Sequence, residues 1–285
     1  MPGNPIGLPG IAAAPGPDGW QKLIYRRSSR WASLSGCSAP SGVRGVIFDM
    51  DGTLLDTVRL VSAAWEFALR SLGHRVDPSE IERFVGLPAS KIAEAFVGPS
   101  SSSSLMELTN LRSRYLEEHA GEVRAFPEVP EVLAELRSLG IRMAVATSMP
   151  SSIARLFLDS ARLLQLMDAV VGGDCVERGK PEPDMFLEAA ARISLSPREV
   201  VVVGDRDYDI IPARRMGSFS ILVVRDAYCP TEKPDAVIPD LRGLLRVLGR
   251  SGGGRRSPRR RRVERIGSAP QPVRLKGDRG RMRER

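Results

Sequence analysis

Short apolar runs alternate with longer stretches of helical periodicity along most of this chain, and several of the runs stop abruptly at polar or acidic residues. Val43 to Phe48 closes on Asp49 and Asp51, Ile141 to Ala146 on Thr147 and Ser148, and Val200 to Val203 on Gly204-Asp205-Arg206-Asp207-Tyr208-Asp209. Apolar runs of this length, bounded by turn signals, read as buried strands. Two more are expected near Asp168–Gly172 and Ser218–Val224. Between them, helical spacing predicts helices over Leu60–Leu72, Ala89–Val97, Leu105–His119, Val129–Leu139 with Gly140 as its stop, Met185–Ile193 and Ile210–Met216. Gly86-Leu87-Pro88 breaks the second helix from what precedes it, and Ser100–Ser104 reads as a flexible join. Strands alternating with helices predict an α/β fold, a parallel sheet with helices on both faces.

In such a sheet, reactive groups gather beyond the carboxyl ends of the strands. Asp49 and Asp51 occupy that position. On a continuous extended backbone their carboxylates are expected to point in opposite directions and so to divide the work. Gly52 permits a sharp exit close to a ligand, and Thr53 offers a hydroxyl and an N–H. A helix-loop-helix Ca²⁺ site also begins Asp-x-Asp but needs its glycine at the sixth position, whereas Gly52 is at the fourth. Lys180 lies between Gly179 and Pro181 at the opening of a helix-like stretch. Carboxylates converging at strand ends repel one another, and a bound divalent cation keeps them ionised. Mg²⁺ suits a few carboxylate oxygens completed by water and substrate phosphate. With only two histidines, His74 and His119, and three scattered cysteines, Cys37, Cys175 and Cys229, a zinc site has almost nothing to be built from.

The four segments, in this order and in these contexts, resemble the motifs of the haloacid dehalogenase-like (HAD) hydrolase superfamily: Asp-x-Asp-Gly-Thr, a strand ending in Ser or Thr, a Lys, and Gly-Asp-x-x-x-Asp. The resemblance covers residues 43–240. It implies a Rossmann-like core over 43–57 and 126–249, with a small all-helical cap over 58–125 inserted after the first strand. Such a cap is similar to that of the phosphoglycolate phosphatase and phosphoglucomutase branch. It implies Asp49 as the nucleophile that forms an aspartyl-phosphate and Asp51 as the general acid and base, with the Asp51 backbone carbonyl as a metal ligand. Asp49 and Asp205 complete the protein's share of the metal site, and Asp209 orients Lys180 or a metal-bound water. Thr147 and Lys180 form an electrostatic cradle for the phosphoryl oxygens, with Ser148 and Gly86 beside the substrate. Thr147 and Ser148 are also candidates to cap the helix starting near Ser151, and Asp209 to cap its own helix. Arg206 and Tyr208 depart from the family pattern, and Arg206 is expected to touch substrate or face solvent.

Charge adds less than it promises. From Arg250 onward there are 14 Lys or Arg against 3 Asp or Glu, a net of +11 in a chain of +8, so residues 1–249 are slightly acidic. The tail 250–285 has too little apolar content to bury and is expected to be disordered. It can bind nucleic acid only weakly, through phosphate contacts. Residues 1–42, rich in Pro and Gly at the start, read as a disordered extension rather than a targeting peptide. No apolar run approaches the roughly 20 residues of a membrane span, and the odd cysteine count fits a reducing, cytoplasmic setting.

The expected function is Mg²⁺-dependent hydrolysis of a small phosphorylated metabolite, with 2-phosphoglycolate as the named substrate. A sugar phosphomutase of the same fold and a non-enzymatic scaffold with a polyanion-binding tail are the alternatives. Dehalogenation is disfavoured because that chemistry has no use for Asp51. The oligomeric state is left open.

Overall fold

The computed structural model describes residues 37–99, 101–226, 228 and 230–249. The expectations for residues 1–36 and for the Arg-rich tail lie outside that range, as does Cys229.

Among the described residues, six strands form one sheet: β1 (Gly45–Phe48), β2 (Arg142–Ala146), β3 (Ala169–Val171), β4 (Val200–Gly204), β5 (Phe219–Val223) and β6 (Ala236–Ile238). All neighbouring pairs are parallel, in the order β3-β2-β1-β4-β5-β6. The strand order therefore reverses beside β1, which pairs with β2 on one side and β4 on the other, Phe48 lying opposite both Val145 and Val203. A crevice at the carboxyl ends of strands flanking such a reversal is the usual ligand site of an open α/β sheet.

The helices are α1 (Val58–Ser71), α2 (Pro78–Ile81), α3 (Ala89–Val97), α4 (Ser102–Glu118), α5 (Val129–Ser138), α6 (Ser151–Ser160), α7 (Asp184–Arg192), α8 (Asp207–Met216) and α9 (Arg242–Val247). Alternation along the strands splits the apolar side chains between two layers. Val46, Phe48, Met143, Val145, Val201 and Val203 join a cluster with α5, α6 and α9. Ile47, Ala144, Ala146, Val200 and Val202 face the other way, onto Met185, Phe186, Ala189 and Ala190 of α7 and Ala213 of α8. Burying each large side chain of this kind contributes roughly 1.5–3 kcal/mol.

Helices α1 to α4 occupy the insertion between β1 and β2. Val61, Ala64, Trp65, Ala68 and Leu69 of α1, with Leu108 and Leu116 of α4, belong to the same continuous apolar cluster as the first sheet face. The chain enters and leaves this insertion side by side: Leu55 bridges Ala125 in antiparallel fashion, and the Asp56 N–H donates to Arg124 O (3.0 Å).

The serine run behaves differently from its expectation as a flexible join. Ser101 Oγ accepts from the Ser104 N–H (3.3 Å), so Ser102–Ser104 form the first turn of α4 behind a serine cap. Helix α2, β6 and α9 had no counterpart in the sequence reading. Each is six residues or fewer, too short for a periodic signal to develop.

Candidate active site

The first acid is fixed by the ladder itself. The Asp49 N–H donates to Val203 O (2.9 Å), which holds its carboxylate at the carboxyl end of β1. The chain then folds into a tight turn, with the Gly52 N–H donating to Leu55 O (2.9 Å). Gly52 is required there twice over: its φ is +78°, and a Cβ would lie 2.6 Å from Asp205 Oδ2.

The expectation that Asp49 and Asp51 point in opposite directions is not met. Positions i and i+2 of an extended chain share a face, and here the strand has already ended at Phe48. Both acids are buried and close enough for the charge of Asp49 to act on Asp51. Their partners differ. Asp51 accepts from Thr57 Oγ1 (2.5 Å) and, at 3.5 Å, from Thr147 Oγ1. Asp49 instead accepts from Lys180 Nζ (2.5 Å). Burial, aided by the neighbouring Asp49, pushes the Asp51 carboxyl up to about 6 against the pull of Thr57, Arg112 and Lys180.

Lys180 is buried and also donates to Asp209 Oδ1 (2.8 Å). Burial alone lowers the pKa of an ammonium, but Asp209 and Asp49 more than reverse this and hold it above its ordinary value. The other oxygen of Asp209 accepts from the Arg206 N–H (3.3 Å), so this carboxylate both caps α8 and anchors Lys180. A Cβ at Gly204 would collide with the Asp209 carboxylate, which accounts for the glycine before Asp205.

One oxygen from each of Asp49, Asp205 and Asp209 lies within 4.8 Å of the others, all three residues buried. Burial raises Asp205, with Arg206 opposing and Asp49 and Asp209 adding to the rise; burial also raises Asp209 against the pull of Lys180. Three buried carboxylates share the Lys180 ammonium and one edge of the Arg206 guanidinium, whose terminal nitrogens are taken by Asp226, so they remain short of positive charge. Their donor set is all oxygen, the chemistry that fits a hard divalent cation.

Other expectations resolve differently. Arg206 neither faces solvent nor stands open to a substrate: it is buried, with Nε 3.3 Å from Asp205 Oδ2, both terminal nitrogens on Asp226, and its guanidinium stacked 4.6 Å from the Tyr228 ring. Tyr208 donates to Arg83 O (3.1 Å), tying α8 to the insertion. Neither Thr147 nor Ser148 caps α6, because the Asp174 carboxylate accepts from both the N–H and the Oγ of Ser151 (2.7 Å each). Thr147 Oγ1 accepts from the Met149 N–H (3.2 Å), and Ser148 Oγ donates to Gly86 O (2.6 Å).

Gly86 and Ser148 line a narrow cavity together with Asp51, Trp65 and Arg112. It holds about 10 Å³, room for one water-sized body. Arg112 was missed in the sequence. It is 5% exposed, sits 5.1 Å from the Trp65 ring, and is lowered by burial to about 10 while the charge of Asp51 resists the fall. A signal did exist: Leu108, Arg112 and Leu116 share one buried stripe of α4 at i, i+4, i+8, where a charged residue is out of place.

Comparison with known proteins identifies the family. Residues 46–223 match the family model for haloacid dehalogenase-like hydrolases. A phosphoglycolate phosphatase of Nitrosospira multiformis is 31% identical over 228 residues, covering 74% of this chain and 98% of that protein. Pyrophosphatase PpaX of Bacillus mycoides is 29% identical over 224 residues, covering 74% and 99%. The crystal structure of a hydrolase from Pseudomonas syringae superposes with a TM-score of 0.66 at 27% identity, over 73% of this chain and 98% of that one. The chain belongs to the haloacid dehalogenase-like hydrolases, in the phosphoglycolate phosphatase-like branch.

Proposed function

We propose that the protein is a Mg²⁺-dependent phosphatase of a small phosphorylated metabolite, with 2-phosphoglycolate as substrate, working through an aspartyl-phosphate. The observation that carries this is the separation of the two acids, Asp49 held against the Lys180 ammonium and Asp51 held against Thr57 with its carboxyl raised to about 6. The first arrangement suits a nucleophile, the second a group that gives and takes a proton near neutral pH. The names of the two relatives above support the class.

In the first step Asp49 bonds to phosphorus, the ester bond breaks, and Asp51 gives its proton to the leaving alkoxide. In the second, Asp51 takes a proton from water, whose oxygen bonds to phosphorus as the bond to Asp49 breaks, releasing inorganic phosphate. Thr147 and Lys180 cradle the equatorial oxygens, with Ser148 and Gly86 lining the approach. A Mg²⁺ held by Asp49, Asp205, the Asp51 carbonyl and, through water, Asp209 would neutralise charge on the phosphoryl oxygens. The helices over 58–125 act as a cap: a phosphoester is far larger than this cavity, so they part to admit it and then exclude water.

The test is phosphate release, with Mg²⁺, from 2-phosphoglycolate, sugar phosphates, nucleoside monophosphates and an aryl phosphate. Hydrolysis of 2-phosphoglycolate is expected, and loss of at least ~10²-fold in Asp49→Asn with the fold retained. Isomerised substrate without phosphate release identifies a mutase instead, and no turnover of any ester returns the scaffold reading.

A further inference from the structure

Among the described residues, three buried side-chain nitrogens lack a hydrogen-bond partner: Trp65 Nε1, Arg112 Nε and Arg225 Nε. Arg225 spends its other nitrogens on Glu128 and Thr53 O. The remaining two belong to adjacent side chains that line the same cavity, and Asp51 lines it as well. A buried guanidinium is unfavourable unless an anion meets it. The acid whose charge reaches Arg112 is Asp51, and Asp51 is already bonded to Thr57.

We infer that Arg112, backed by Trp65, reads a second negative group on the leaving portion of the substrate, a carboxylate or a phosphate. This inference rests on the phosphatase reading, in which Asp51 protonates the ester oxygen. That oxygen must then lie beside Asp51, and the leaving group must extend across the cavity toward Arg112. Asp51 and Arg112 line the same small cavity, so only a short span separates the ester oxygen from the anion. The carboxylate of 2-phosphoglycolate and the second phosphorus centre of pyrophosphate both satisfy it. A guanidinium takes either anion in bidentate fashion. A neutral sugar or nucleoside leaving group offers Arg112 acceptor oxygens but no charge to meet the buried guanidinium, so the same residues select against it.

The experiment compares kcat/KM on 2-phosphoglycolate, pyrophosphate and 2-hydroxyethyl phosphate, the last replacing the carboxylate by an alcohol. The wild type is expected to favour 2-phosphoglycolate or pyrophosphate over the ester with the neutral leaving group by on the order of 10²-fold. Which of the two it favours tells carboxylate from phosphate. Arg112→Met should shrink that ratio by about thirtyfold, and Arg112→Lys, which keeps charge but loses the fork, by less. A wild type without preference for an anionic leaving group, or an Arg112→Lys protein with an unchanged ratio beside an Arg112→Met that falls equally on every ester, overturns the assignment. Calorimetry supplies an arm independent of turnover. Folded Asp49→Asn should bind the preferred anionic ester, and adding Arg112→Met should weaken binding by about tenfold or more. Binding unchanged by that addition overturns the inference. Failure of the wild type to hydrolyse any ester counts against the phosphatase reading, while this binding arm still decides the role of Arg112.

Discussion

Asp51 occupies a position where burial and a neighbouring carboxylate raise its pKa and a threonine hydroxyl restrains the rise. With a pKa of about 6, the acid form predominates below that pH and the base form above it. An alkyl ester, whose leaving group needs the proton, should therefore react more slowly in single turnover as pH climbs above 6. An aryl ester should be nearly indifferent. Asp51→Asn should slow the alkyl ester by about 10²–10⁴-fold, rescue the first step partly on the aryl ester, and let the aspartyl-phosphate accumulate. Equal loss on both esters with no burst would show that Asp51 is not the acid. Asp49, Asp51, Thr147 and Asp205 could be singled out in the sequence because they follow strand ends in recognisable motifs, Lys180 and Asp209 only through the order of those motifs. Arg112 was marked only by its place in the apolar stripe of α4, and neither its packing on Trp65 nor the pairing of Arg206 with Asp226 was legible, since both depend on contacts between separate segments.

At the scale of elements, helices with a full apolar stripe were readable to within a few residues, and α3 coincides with its expected bounds. The short elements needed other signals. Pro78 behind the Asp77 cap begins α2, and a Ser-x-x-Glu box precedes β4. In that box Glu199 accepts from the N–H and Oγ of Ser196 and from Arg44, which together draw its carboxyl down to about 2 from an ordinary 4.5. A depressed folded-state pKa contributes stability that is fully present above the ordinary value and is lost as pH falls through the depressed one. The difference in Tm between wild type and Glu199→Gln should therefore be constant above about pH 4.5 and close progressively toward pH 2. A difference that does not change with pH would show that shape, not charge, matters at this turn.

For the whole molecule, the family resemblance reads the inserted helices as a cap distinct from the core, yet their apolar stripes share one continuous cluster with a sheet face. The two crossings between them run side by side, joined by the Leu55–Ala125 bridge and by Phe126 N–H to Leu54 O (3.1 Å). Under the phosphatase proposal, any parting of these helices to admit substrate would turn about this waist. Melting them alone would expose Trp65, Leu108 and Leu116 together with the core side chains they cover, so local unfolding should cost nearly as much as global unfolding. With Trp20→Phe and Trp31→Phe, Trp65 becomes the single tryptophan and reports on α1. Its fluorescence in urea should follow the same transition as far-UV circular dichroism, the mark of a two-state process. A Trp65 transition completed at lower urea than the loss of secondary structure would show that the insertion folds as an independent unit, and that the shared apolar cluster does not couple it to the sheet.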